Sequence, residues 1–161
     1  MIDMPSLKKS NPKELLQSYG KIIDELLVRR IARTRNNPVG GYTEWLVSQR
    51  LKLTLNRNSK KGFDATDKRT GAKYEIKARW VTPSNKSRQL SAIRDLQGRH
   101  FHFLVAIVYD ENFEVILALK IPRSVVEKKA RFSGSTNSYR LMANDSLKSE
   151  PGVEDIAHLL R

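Results

Sequence analysis

The chain has 161 residues, a length that suits one domain with a single hydrophobic core. Apolar residues make up 39% and charged residues 29%, which is typical of a folded globular protein and excludes a disordered one. There is no cysteine, so disulfides, thiolate metal sites and cysteine nucleophiles are excluded as well.

The charge of the chain is strongly positive, with 30 Lys and Arg against 17 Asp and Glu, a net charge of +13. Ten of these excess charges fall between Arg50 and His100, where fourteen basic residues accompany four acidic ones. Such clustering favours a polyanionic partner and a surface that contacts phosphate. The alternative is that the lysines and arginines are solvated and serve only solubility.

Membrane and nucleotide partners are not expected. The first seventeen residues contain no apolar segment of a secretory signal, and the longest apolar run, 103–109, is too short to cross a bilayer. No G-x-x-x-x-G-K-[ST] loop is present, so a nucleotide cofactor is not indicated. We therefore expect a soluble cytoplasmic protein.

The first predicted element is an amphipathic helix over about 12–35. Asn11, Pro12 and Glu14 match the cap, the first helical position and the acid of a capping box. Apolar residues then recur at helical spacing. The Asn-, Pro- and Gly-rich segment 36–41 predicts the end of this helix.

A second helix is predicted from about 42 to 52, with Glu44 in its first turn. Alternating apolar residues and turn signals then predict three strands. These strands are 53–55, 62–66 and 72–81, joined by a basic turn at 56–61 and a hairpin turn at 67–71.

The second half of the chain predicts a polar helix at 87–97, with Leu90, Ile93 and Leu96 directed inward. Two strongly apolar strands, a short helix, a further strand and a last helix follow. They are predicted at 101–109, 113–121, 122–129, 139–141 and 153–160. This order predicts one α/β domain over 1–161, with a core at about 41–121 and a C-terminal tail at 131–161.

The pattern that carries chemistry is Asp64 followed by Glu75 and Lys77. Glu75 and Lys77 are two residues apart on a predicted strand, so they project from the same face of the sheet. A tight hairpin would bring Asp64 beside Glu75, where the two carboxylates would repel each other unless a cation lay between them. Mg²⁺ suits that position, and a neighbouring lysine can orient a water or stabilise negative charge on a phosphate.

This pattern resembles the PD-(D/E)xK nuclease superfamily, which includes type II restriction enzymes and archaeal Holliday-junction resolvases. The resemblance covers roughly 41–120, and Phe63 stands where the family pattern has proline. It implies a restriction-endonuclease-like fold, in which helices flank a central mixed β-sheet, here with an extra N-terminal helix. It also implies hydrolysis of DNA phosphodiester bonds with Mg²⁺ or Mn²⁺, and a possible homodimer. Glu44 matches the helical glutamate that such enzymes commonly add, as a further metal ligand or orienting group.

Five further residues are candidates for DNA binding. The basic turn contributes Lys60 and Lys61, the strand of the motif contributes Arg79, and the helix predicted after it contributes Arg88 and Gln89. Contacts from such residues to phosphate raise affinity without giving sequence preference.

Two alternatives remain open from the sequence. In the first, Glu75 and Lys77 are the solvated face of an amphipathic strand, and Asp64 is an ordinary turn residue. A second alternative is a nuclease-like fold that binds nucleic acid without cutting it, or a subunit of a nucleoprotein assembly.

Overall fold

The computed structural model describes residues 7–56 and 62–161. The chain divides into two compact units, one that ends at Tyr42 and one from Thr43 to Arg161. In the described ranges, no helix has both the length and the apolar character needed to cross a membrane. The prediction of one domain stays a prediction.

Helix α1 spans Pro12–Val28 and has the predicted capping box. The Asn11 side chain accepts a hydrogen bond from the Glu14 amide at 3.0 Å, and the Glu14 carboxylate accepts one from the Asn11 amide at 2.8 Å. The predicted extension of the helix to residue 35 is wrong. Arg30 adopts a left-handed conformation, with φ of +59°, and ends the helical path directly after the cap.

Helix α2 spans Pro38–Leu51 and begins four residues earlier than predicted. Its start repeats the Asn-Pro pattern of α1, because the Asn37 side chain accepts a hydrogen bond from the Val39 amide at 3.0 Å. The segment 36–41, predicted to separate two helices, therefore does so only before Pro38, where α2 begins. Two glycines in sequence, Gly40 and Gly41, are tolerated inside the first turns of the helix.

The larger unit contains a six-stranded mixed sheet. Its strands are β1 Thr54–Leu55, β2 Ala65–Thr66, β3 Lys73–Trp80, β4 Phe103–Tyr109, β5 Val115–Pro122 and β8 Glu154–Asp155. They lie in the order β1-β2-β3-β4-β5-β8, with β3 and β4 parallel and the other neighbouring pairs antiparallel. Helices α3 (Arg123–Lys129) and α4 (Ala157–Leu160) lie against this sheet. The predicted α/β class with a mixed sheet flanked by helices is confirmed.

The last predicted helix begins too early. Residues Glu154 and Asp155 form β8 and extend the sheet edge beside Leu119 and Lys120, so the helix starts only at Ala157. The Asp155 carboxylate accepts a hydrogen bond from the Ala157 amide at 3.0 Å, which marks the turn from strand to helix.

The predicted helix at 87–97 is wrong. The connection from β3 to β4 makes a tight turn at Thr82–Asn85 and is then extended until a 3₁₀ turn at Leu96–Gly98. Its backbone pairs with a separate hairpin, formed by β6 (Arg131–Ser133) and β7 (Ser138–Arg140). Ile93 and Tyr139 exchange two backbone hydrogen bonds, at 2.9 and 2.8 Å. The threefold spacing of the apolar residues favours a helix, and backbone pairing with the hairpin outweighs that preference.

One face of the sheet carries both the main hydrophobic core and the motif. In the parallel pairing, Glu75 lies opposite Leu104, Lys77 opposite Ala106, and Arg79 opposite Val108, so these pairs share a face. The three β4 residues are fully buried beneath apolar side chains of the extended connection. The motif therefore lies at the margin of the core, where apolar cover gives way to charged side chains.

Candidate functional site

Asp64 lies directly before β2 and is fixed to β3 by two hydrogen bonds. Its amide donates to the Tyr74 carbonyl at 2.8 Å, and its Oδ2 atom accepts from the Ile76 amide at 2.7 Å. In the second bond, a side-chain oxygen of Asp64 takes the place of a backbone carbonyl as the acceptor for the Ile76 amide. It holds the Asp64 carboxylate beside the neighbouring residue of β3, which is Glu75.

The turn between β2 and β3 keeps this arrangement short. The Gly71 amide donates to the Asp67 carbonyl at 2.8 Å, and Gly71 has φ of +74°, a conformation that glycine adopts without strain. The Asp67 side chain also accepts a hydrogen bond from the Arg69 amide at 2.8 Å. The turn predicted at 67–71 is thus present.

Glu75 and Lys77 form an ion pair on the same face of β3. The Lys77 Nζ atom lies 2.6 Å from Glu75 Oε1, and the side chains are only 19% and 10% exposed. They are therefore not the solvated face of a strand. A pair held this closely needs further polar or ionic partners to offset the loss of hydration.

The electrostatics of Glu75 reflect three neighbouring influences. Burial raises the pKa of the Glu75 carboxyl, the Lys77 ammonium lowers it, and the Asp64 carboxylate raises it again, with a net increase. The anionic form of Glu75 is thus held at a site where water stabilises it poorly. Any further cation placed between the two carboxylates would stabilise that form.

Asp64, Glu75 and Lys77 line a cavity of about 970 Å³, and we call these three side chains its floor. The extended connection supplies one wall, through Arg94, Asp95 and Gln97, and the β6–β7 hairpin supplies another. The hairpin residues that line the cavity are Phe132, Thr136, Asn137 and Tyr139. The cavity therefore combines a charged floor with polar and aromatic walls.

The wall residues were missed by sequence reasoning, which treated 131–161 as a tail. Gln97 donates a hydrogen bond to the Tyr139 hydroxyl at 3.0 Å, which joins the two walls. A signal for the hairpin is present in the sequence: aromatic Phe132 and Tyr139 flank a loop of Ser, Gly, Thr and Asn. That pattern is typical of two short strands around a turn.

Glu44 lies on α2, partly buried, with its Oε2 atom shielded from solvent. It does not line the cavity. Among residues 7–56 and 62–161, no three His, Cys, Asp or Glu side chains are grouped so that they would hold a metal ion. The structure thus brings Asp64, Glu75 and Lys77 together and leaves Glu44 apart, and its role as a ligand stays a prediction.

Three of the five DNA-binding candidates, Arg79, Arg88 and Gln89, do not line the cavity. Arg79 Nε donates to the Ser87 carbonyl at 2.9 Å, and Arg88 forms an ion pair with Asp145 at 3.1 Å. Gln89 forms an isolated β-bridge with Met142. Lys60 and Lys61 lie outside the described residues.

Comparison with protein-family models finds no match to the chain, and comparison with curated proteins finds none either.

Proposed function

We propose that the protein is a metal-dependent endonuclease of the PD-(D/E)xK type, which hydrolyses phosphodiester bonds in DNA. The observation that supports this proposal is the floor of the cavity, where two carboxylates and one ammonium meet on one face of a sheet. The strongly basic composition suits a polyanionic substrate.

The residues present fit a hard divalent cation. Asp64 accepts a hydrogen bond from the Ile76 amide through one carboxylate oxygen, and Glu75 supplies a second carboxylate from the adjacent strand. Mg²⁺ is commonly held by one or two carboxylates, with waters and substrate phosphate completing its shell. When bound, such an ion would polarise the phosphoryl group and activate the attacking water.

The chain's own side chains would position the substrate and balance charge. Lys77 is held against Glu75 at 2.6 Å, so its ammonium is fixed beside the carboxylates and can donate to a phosphate oxygen or orient a water. The hydrogen bond from the Ile76 amide prevents Asp64 from rotating away from this point. The floor is thus organised before a substrate arrives.

Cleavage of supercoiled plasmid with Mn²⁺ or Mg²⁺, compared with EDTA, tests the proposal. We expect nicking that is lost in Asp64→Asn and Lys77→Met and retained in Lys68→Met, which removes an exposed lysine from the nearby turn. Both inactive variants should keep the salt-sensitive DNA binding. Cleavage by Lys77→Met at the wild-type rate would refute the assignment.

A catalytically silent nucleic-acid-binding protein is the second candidate. The observation that favours it is the Lys77–Glu75 ion pair, in which an internal cation already neutralises one carboxylate. Such a protein would bind DNA equally with EDTA and with Mn²⁺, and calorimetric titration with Mn²⁺ would give no heat of binding. Heat that is present in the wild type and absent in Asp64→Asn would exclude this candidate.

A further inference from the structure

We propose that the cavity takes an unpaired DNA strand, with one base stacked on Phe132 and a phosphate held by Arg94. This inference rests on the proposed function and specifies its preferred substrate: single-stranded or branched DNA should be bound more tightly than an intact duplex. The observations that carry it lie on the two walls of the cavity.

The first observation is the aromatic side chain of the hairpin. Phe132 lines the cavity and is nevertheless 59% exposed. Tyr139 holds it edge-on, with ring centroids 5.3 Å apart and planes at 61°, so the Phe132 ring is supported without being covered. A supported and exposed aromatic face is the feature on which unpaired bases stack.

The support beneath Phe132 is itself rigid. Tyr139 is fixed by both of its backbone hydrogen bonds to Ile93 and by the hydrogen bond from Gln97 to its hydroxyl. The ring of Phe132 therefore packs on a fixed support, in a cavity that Asn137 and Gln97 also line. Amide groups beside a stacking surface can bond the exposed edge of an unpaired base.

The second observation concerns positive charge near the walls. Arg94 lines the cavity, is exposed, and forms no ion pair within the described ranges. On the reverse face of the hairpin, Arg131 and Arg140 lie directly opposite each other across the strands, and both are exposed. Like charges at opposed positions destabilise a hairpin, so an anion near this face would relieve their repulsion, whereas a phosphate inside the cavity would contact Arg94.

The volume of the cavity suits one DNA strand better than a duplex. Its volume of about 970 Å³ lies at the upper end for a pocket that encloses a small ligand, which is the scale of one or two nucleotides. The bases of a duplex are stacked on one another and offer no free face to Phe132. An unpaired strand offers both a base face and a flexible backbone that reaches the carboxylates on the floor.

Binding in EDTA, measured by fluorescence anisotropy, separates recognition from cleavage. We expect a labelled single-stranded oligonucleotide, and a duplex with a single-stranded flap, to bind more tightly than the blunt duplex. Phe132→Ala should weaken binding of the single strand by at least about fivefold, the lower limit for losing one stacked base. Duplex binding should not change, and Phe132→Trp should restore binding of the single strand.

Phe113→Ala is the matched control, since Phe113 is an exposed aromatic residue that does not line the cavity. Equal affinity for single strand and duplex would overturn the inference, as would equal losses in Phe132→Ala and Phe113→Ala. Cleavage with Mn²⁺ then separates the two proposals. Duplex cleavage that Phe132→Ala leaves unchanged would support the nuclease proposal and overturn the single-strand inference. Binding that depends on Phe132, without any cleavage, would support the single-strand site and overturn the nuclease proposal.

Discussion

Removal of the Lys77 ammonium offers a test of the site that needs no substrate. Lys77 forms an ion pair with Glu75 at 2.6 Å, and Asp64 is a second carboxylate beside Glu75. Lys77→Met keeps most of the apolar part of the side chain and removes the charge. Asp64 and Glu75 would then face each other without a cation.

The expected destabilisation is about 3 kcal/mol at pH 8. Breaking a buried ion pair by removing one partner costs about 3–5 kcal/mol, and the lower value applies because the site opens into a cavity. Glu75 responds by binding a proton more strongly, so the effect depends on pH.

The sign of the pH dependence follows from the raised pKa of Glu75. Between the unfolded and folded pKa values, the folded state binds more protons than the unfolded state, so stability falls as pH rises. In Lys77→Met, the ammonium that lowers the pKa of Glu75 is absent, so the folded-state pKa rises further. The pH range over which the folded state binds more protons than the unfolded state therefore extends upward. The loss of stability relative to wild type should therefore be smaller at pH 5 than at pH 8.

Urea unfolding followed by the fluorescence of Trp45 and Trp80, in EDTA at both pH values, measures these quantities. Lys68→Met is the control, because Lys68 is exposed in the hairpin turn and its loss changes the net charge equally. We expect the control to remain within about 0.5 kcal/mol of wild type. A Lys77→Met variant as stable as the control at pH 8 would refute the assignment of Lys77 as the internal counter-ion.

Two further predictions concern the walls and the surface. Ile93→Ala should destabilise the fold by about 2–4 kcal/mol in urea unfolding, since Ile93 is fully buried in the main core; a loss below about 1 kcal/mol would contradict this packing. Arg88→Ala should lower stability by less than about 1 kcal/mol, because its partner Asp145 is an exposed surface residue. The same variant should leave plasmid cleavage unchanged, and a tenfold loss of cleavage would place Arg88 in contact with the substrate.

The parts of the fold that sequence predicts well are governed by local chemistry. The capping box of α1 needs only Asn11 and Glu14, three residues apart, and the turn before β3 needs only Asp67 and Gly71. The same locality makes the floor of the site visible in the sequence. Asp64 and Glu75 belong to one hairpin, and strand alternation places Lys77 beside Glu75.

The parts that sequence misses depend on pairing between distant segments. The connection from β3 to β4 has helical spacing in Leu90 and Ile93, yet its backbone is drawn into pairs with Leu141 and Tyr139. The residues near Leu90 and Ile93 do not indicate such a distant pairing partner. Pairing in the folded chain then outweighs their weak helical propensity. The walls of the cavity, including Arg94 and Phe132, were missed for this reason.

The difference in sequence range between floor and walls has a consequence for the order of folding. The Asp64–Ile76 hydrogen bond closes a loop between residues 12 apart, whereas the Gln97–Tyr139 bond joins residues 42 apart. Chain closure over the longer span loses more entropy and is slower. We therefore expect the β2–β3 hairpin, with Asp64 and Glu75, to form before the walls of the cavity, which need the β6–β7 hairpin from the last quarter of the chain.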